Sequence, residues 1–280
     1  MALLALFLIW PIGVSAMYST TSASGFGDME PVGFDNYARA FADAELYAAV
    51  GRNILFAAIV VVLSVGIGFL LAYALYLRVG GWRALQVVYM VPYIMPVVVT
   101  AIMWQFILEP ETGLLNSVLR AAGLDALAGP WLTAQSTALP TAALIQSWVL
   151  VPFAMLLLFG SMVSLPAEVL EAASLDGAGH LTRMVRVVLP MIRPTLILTI
   201  GVIALQLFRS FDLVYLLTKG GPIGSTTIAT LFVFVQGFVN NEYGYANAVG
   251  IIIGLALVIV AVTPRIVQAV RRSRTGKATA

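Results

Sequence analysis

At 280 residues, 61% hydrophobic and only 10% charged, the chain lies far from the roughly 45–50% apolar and 25% charged make-up of soluble domains. That balance leaves no room for a large soluble domain and makes the bilayer core its natural solvent. The absence of cysteine excludes disulfide frameworks, thiolate nucleophiles and Cys-based metal sites, and a formal charge of +2 carries no signal for nucleic acid.

A helix crosses the hydrocarbon core with about 20 mostly apolar residues, and the apolar runs supply about six such segments. The first, Ala2 to about Tyr18, ends near the small residues Val14, Ser15 and Ala16 as a signal peptide would, but lacks a basic flank. It is read as a first membrane helix whose cytoplasmic head is short or missing. Further spans are expected over Tyr47–Leu77, Ala84–Leu108, Ala138–Val163, Thr195–Leu217 and Ala246 to about Val262.

Lysine and arginine in the connections set the orientation. Arg78 and Arg83 follow the second span, Arg183, Arg186 and Arg193 precede the fifth, and Arg265, Arg271, Arg272, Arg274 and Lys277 follow the sixth, ten basic residues on one side. The other side carries Arg39, Arg52, Arg120 and Lys219 against nine acidic residues: Asp28, Glu30, Asp35, Asp43, Glu45, Glu109, Glu111, Asp125 and Glu242. The ten-residue side is therefore expected in the cytoplasm, with both termini on it.

The segment Ser164–Pro194 on that side is polar and basic. Pro166 suits a first helical turn, and Glu168 and Glu171 complement the positive end of the helix dipole. Asp176-Gly177 offers a stop, after which Leu181, Met184, Val185, Val188 and Leu189 recur at helical spacing before Pro190. By itself this is a short helix, a turn and a second short helix near the membrane surface, of a kind common in membrane proteins. After the fifth span, Thr218-Lys219-Gly220-Gly221-Pro222 is a breaker cluster that turns the chain.

Glu171-Ala172-Ala173, three residues, Gly177, nine residues, then Val187-Val188-Leu189-Pro190 resembles the EAA loop of ABC importer permeases, with Val187 in place of the usual Ile. Phe211 to Pro222, with its Gly-Gly-Pro turn, is similar to the segment after that loop in the carbohydrate-class, MalF-type permeases. Gly33-Phe34-Asp35-Asn36-Tyr37 resembles their segment after the first helix. The resemblance implies an all-α, polytopic type I ABC importer permease fold with six transmembrane helices. One transmembrane permease domain would span residues 1–280, with a cytoplasmic coupling loop at 164–194 that docks into an ATPase through Glu171, Ala172, Ala173, Asp176, Gly177, Leu189 and Pro190. The implied partners are a MalG-type permease forming a heterodimer, an ATP-binding cassette ATPase dimer, a periplasmic or lipid-anchored solute-binding protein, membrane lipid and a sugar or sugar-like solute. ATP and Mg²⁺ would be bound by the ATPase and no cofactor by this chain.

The same resemblance carries over solute-path positions. Pro92-Tyr93-Ile94-Met95-Pro96 matches a third-span motif and puts Tyr93 at the solute. Gln146-Ser147-Trp148 and Pro152-Phe153 match the fourth span and put Leu150 and Phe153 there; in the fifth, counting places Gln206, Leu207 and Ser210. Aromatic faces cover the apolar faces of a pyranose, and Gln206 and Ser210, four apart, share a helix face. Phe153 and Leu207 also fit plain helix packing. Arg209 and Asp212 are the charged residues well inside a predicted span, where charge is costly; at i and i+3 they suit a structural pair, while an anionic solute such as glycerol 3-phosphate would give Arg209 a second use. Gly250 and Gly254 form a G-x-x-x-G that permits close helix contact. His180, the one histidine, is expected at the surface.

No G-x-x-x-x-G-K-[ST], H-E-x-x-H or G-x-S-x-G occurs, so a transport subunit without its own ATPase is expected rather than an enzyme. The alternatives are the same machinery with glycerol 3-phosphate, a polyol or another cargo, a self-contained six-helix channel or secondary transporter, and, more remotely, an intramembrane enzyme.

Overall fold

The computed structural model describes residues 5–24, 29–208 and 211–276. Among these residues every regular element is helical. In chain order they are α1 (Trp10–Ser19), preceded by a π turn at Ala5–Ile9, α2 (Asp35–Ala42), α3 (Ala44–Tyr76), α4 (Trp82–Ile94), α5 (Val97–Ile107), α6 (Leu114–Ala121), α7 (Ala138–Val163), α8 (Ala167–Leu175), α9 (His180–Met191), α10 (Arg193–Leu207), α11 (Phe211–Thr218), α12 (Ala229–Val239) and α13 (Tyr243–Gly276). The chain forms two compact units, one of residues 1–49 and 229–280, the other of residues 50–228.

In the larger unit, α3 and α7 are each long and apolar enough to cross a bilayer, and the pairs α4–α5 and α9–α10 reach that length only together. The expected third span is therefore not one helix: α4 and α5 meet at 97°. Pro96 has no amide to continue the ladder and disfavours helical geometry in the residue before it, and Met95 is accordingly extended, at φ −66° and ψ 135°. A 74° bend separates α9 from α10 at Ile192, just before Arg193-Pro194.

α7 is the best-buried helix of this unit, with Ala142, Ala143, Ile145, Ala154, Met155 and Leu158 all inside. α3 lies against it at Gly68, where an added Cβ would stand 2.7 Å from the Ala154 Cβ and 3.0 Å from the Met155 amide. Only a missing side chain lets the two backbones come so close.

The connection from α5 to α7 is organised by Asn116, which is fully buried. Its amide donates to the carbonyls of Pro110 and Gly129, and its Oδ1 accepts from the Gly129 amide and the Trp131 indole. Glu109 accepts from Thr112 and Glu111 at the start of this turn, and these bonds hold its carboxyl below the usual carboxylate range. Beyond α11 the breaker cluster turns as expected: Lys219 and Gly220 take left-handed backbone, and Thr226 hydrogen-bonds both Thr218 and the Gly221 carbonyl. From α5, Gln105 donates to the terminal carbonyls of Leu216 and Leu217.

The smaller unit packs α1, α2, α12 and α13. Asn36 donates to the Ser19 and Thr21 carbonyls, and Arg39 makes a two-pronged ion pair with Glu242 at 3.0 and 2.8 Å while lying 4.0 Å over the Tyr245 ring. Tyr245 donates to Asp43, whose other oxygen accepts from the Glu45 and Leu46 amides as the cap of α3. Burial works to raise the Asp43 carboxyl, but these hydrogen bonds and the nearby Arg39 charge outweigh it and hold the group below its ordinary value. Gly244 is obligatory, since a Cβ there would collide with the Thr21 carbonyl. Of the pair Gly250 and Gly254, a Cβ on Gly250 would stand 3.9 Å from the Val233 side chain of α12 and one on Gly254 meets nothing within 4 Å; the tighter approach is at Gly237 of α12, where a Cβ would stand 3.3 Å from the Ala246 Cβ of α13.

Candidate functional site

The segment Ser164–Pro194 is a helix, a turn and a second helix, as its sequence indicates. Pro166 precedes α8, Glu168 stands in its first turn, and none of its residues is buried. At its end the Gly177 amide bonds the Ser174 carbonyl at 3.1 Å and the Ala178 amide bonds the Ala173 carbonyl at 3.0 Å. Gly177 itself is left-handed, at φ +79°. This is a Schellman cap, with Ala173 as C3 and Gly177 as C′, so the three-residue gap between the Glu-Ala-Ala triplet and the glycine is the spacing the cap requires.

α9 starts at His180 and carries a π segment at Met184–Val188 before Leu189-Pro190. Val188 and Ile192 are buried, and the Ser161 and Thr195 hydroxyls, 2.9 Å apart, join the end of α7 to the start of α10. Both ends of the loop are thus anchored in the larger unit. Its middle is not: Leu175 is 89% and Leu181 70% exposed, and Glu171, Ala172, Asp176 and Gly177 are exposed beside them.

Residues with no local sequence signal complete the site. Tyr73, near the end of α3, donates its hydroxyl to the His180 carbonyl at 3.0 Å, and its ring stacks on Tyr76. Together with Leu77, Ala167, Leu170, Glu171, Ser174 and Arg183 they border a cavity of about 320 Å³. His180 is exposed as expected, with Nδ1 3.2 Å from Arg183.

The expected solute-path residues divide into two groups. Tyr93 at the end of α4 and Phe153 of α7 come together as stacked rings, centroids 5.8 Å apart and 24° between planes, with Tyr93 40% exposed. Two turns into α5, Trp104 meets Trp148 edge-on at 5.5 Å. An apolar cavity of about 650 Å³ is bordered by Leu63, Ile67, Tyr89, Pro92, Trp148 and Pro152, residues of α3, α4 and α7. Leu150 and Leu207, in contrast, are buried in helix packing. Gln206 is half-buried on α10. Ser210 and Arg209 lie outside the described residues, so their pairing with Gln206 and Asp212 does too; Asp212 is exposed and accepts from the Leu213 amide at 3.0 Å.

Residues 64–275 match the family described as binding-protein-dependent transport system inner membrane component. Over 258 residues the chain is 33% identical to the probable ABC transporter permease protein YurN of Bacillus subtilis strain 168, covering 90% of this chain and 88% of that one. Over 275 residues it is 28% identical to the diacetylchitobiose uptake system permease protein NgcF of Streptomyces coelicolor, with 93% and 77% covered. Over 262 residues it is 28% identical to the sn-glycerol-3-phosphate transport system permease protein UgpA of Yersinia pseudotuberculosis, with 92% and 87% covered. Its fold is similar to a chain of a bacterial alginate ABC transporter solved in complex with an alginate pentasaccharide-bound periplasmic protein, at a TM-score of 0.80 and 22% identity, covering 95% of this chain and 91% of that one. The chain therefore belongs to the binding-protein-dependent transport system inner membrane component family, as a permease subunit of an ABC transporter.

Proposed function

We propose that this subunit forms, with a MalG-type partner, the translocation path for a sugar or sugar-like solute in the bacterial cytoplasmic membrane, as one transmembrane domain of six spans with both termini in the cytoplasm. The loop 164–194 docks on a separate ATPase dimer, which binds the ATP and Mg²⁺, and a periplasmic or lipid-anchored binding protein delivers the solute. The observation that carries this reading is α8: an exposed helix with no buried residue, ended by a glycine cap that leaves Glu171, Ala172 and Asp176 exposed, in a chain of this family. A helix with Leu170 and Ala173 only partly covered and every other residue exposed has a surface left for a partner.

The stacked Tyr93 and Phe153 rings, whose apolar faces suit a sugar ring, support a neutral hydroxylated solute, and Gln206 of α10 is a further polar candidate. Relatives named for diacetylchitobiose and glycerol 3-phosphate uptake bracket the choice. Arg209 in the fifth span is the feature that favours the phosphate ester. Co-expression with the partner permease, ATPase and binding protein, followed by reconstitution, tests both points. ATP hydrolysis is expected to rise with binding protein and solute, and competition by a panel of sugars, polyols and glycerol 3-phosphate identifies the cargo. Solute flux through this chain alone, with no ATPase present, would instead establish a self-contained channel or secondary transporter.

A further inference from the structure

The two arms of the loop meet α3 in different ways. On the α9 side, the buried Tyr73 donates its hydroxyl to the His180 carbonyl at 3.0 Å, and the Tyr73 ring is steadied by Tyr76, 6.5 Å away between centroids. On the α8 side there is space instead of packing: the cavity of about 320 Å³ lies between the last turns of α3 and Leu170, Glu171 and Ser174. Arg183 borders the same space with its Nε buried and without a hydrogen-bond partner. Among the described residues Glu171 and Arg183 form no ion pair although both line it.

We propose that Tyr73 is a positioning residue for coupling, its hydroxyl making the α9 end of the loop the fixed point about which α8 moves against α3. The inference rests on the reading of residues 164–194 as the ATPase-coupling loop. A pivot needs a directional tie on one side and free volume on the other. A hydrogen bond supplies direction, and a close-packed contact would resist the displacement that the cavity allows. Without the tie, a pull on α8 would slide α9 along α3 and be lost before it reached the span. The tie is also separable from folding. The His180 carbonyl keeps the Met184 amide as a second donor, so removing the Tyr73 oxygen leaves no unsatisfied backbone group and keeps the buried ring.

The test is the number of solute molecules imported per ATP hydrolysed by the reconstituted full complex, normalised to assembled complex. Tyr73→Phe is expected to lower that ratio roughly threefold to tenfold, the scale one hydrogen bond sets. Replacing Tyr73 by para-aminophenylalanine, which restores an N–H donor, should bring it back. A Tyr73→Phe complex with the wild-type ratio overturns the proposal. So does a loss confined to assembly, complete or partial, or a loss that para-aminophenylalanine at position 73 leaves in place, which would assign the effect to ring packing and not to the donated hydrogen bond. A wild-type complex without solute-dependent hydrolysis overturns the coupling reading itself and the pivot with it; a coupled wild type with a coupled Tyr73→Phe overturns the pivot alone.

Discussion

Gly177 offers the sharpest test of how the loop is built. A Cβ placed on it meets nothing within 4 Å, yet its φ is +79°, so any penalty for substitution within this chain is conformational and not steric. Left-handed backbone costs an L-residue roughly 1–2 kcal/mol, which shifts the balance between capped and uncapped turn by about 5- to 30-fold. The cap at stake is the pair of bonds from Gly177 to Ser174 and from Ala178 to Ala173. Losing it frees the end of α8 that carries Glu171 and Asp176. In the reconstituted complex, Gly177→Ala is expected to reduce imported solute per ATP by a factor in that range and to weaken retention of the ATPase during purification. Gly177→Val should be worse, because β-branched residues tolerate this region least. Gly177→Asn is the decisive variant, since Asn enters left-handed backbone readily, and it should retain most of the coupling. Wild-type behaviour of Gly177→Ala would refute the argument. Asn as harmful as Val would show that the glycine is needed for close approach of a partner and not for its own backbone.

Gly68→Val should lower the thermal midpoint of the detergent-solubilised chain by an amount equivalent to roughly 1–3 kcal/mol of overpacking, because its Cβ would enter contacts of 2.7–3.1 Å with α7. Gly254→Ala, with open space around it, should leave that midpoint unchanged or raise it slightly. Asn116→Ala strands the Trp131 indole and the Gly129 amide, whereas the Pro110 and Gly129 carbonyls keep Arg120 and the Trp131 amide as donors, at about 1–3 kcal/mol for each group left unsatisfied. Amide exchange across residues 110–131 should quicken, and unchanged exchange would contradict the assigned network. Asp43 titrates below its ordinary value, so its stabilising effect is present above the unfolded-state pKa of about 4 and is lost as pH falls through the lower folded value. The midpoint should therefore drop in acid below about pH 4, and Asp43→Asn, which keeps the capping oxygen, should lose that part of the pH dependence.

Much of this was legible in the chain because the relevant signals are local. The second and fourth apolar runs, 47–77 and 138–163, correspond to α3 and α7 within a few residues, since unbroken hydropathy over such lengths has one helical solution. The loop was legible for the same reason: a proline start, a glycine stop and a change of period all act within a turn or two. The third run failed as a single helix because Pro96 outweighs the hydropathy around it, and hydropathy averages over a backbone break. Burial of Leu150 and Leu207 could not be read, because apolar side chains lining a path and packing a core look alike in one dimension. Arg39 counted only as an outer charge, yet it is committed to Glu242, 203 positions away. The tie from Tyr73 to His180 spans 107 positions and ends on a backbone carbonyl, which no residue type announces.

The elbow between α4 and α5 adds something that side chains alone do not. Where a helix ends at Ile94 and another begins at Val97, carbonyls at one end and amides at the other stand without partners along the helix. Such polarity inside an apolar run is tolerated only when it is buried in protein or faces a wet cavity. The chain thereby presents oriented dipoles next to Tyr93 without committing a charge. On the solute path proposed to pass Tyr93, a carbohydrate, which offers many weak hydroxyl contacts and no ionic one, would meet a surface that can exchange hydrogen bonds with it and still let it go.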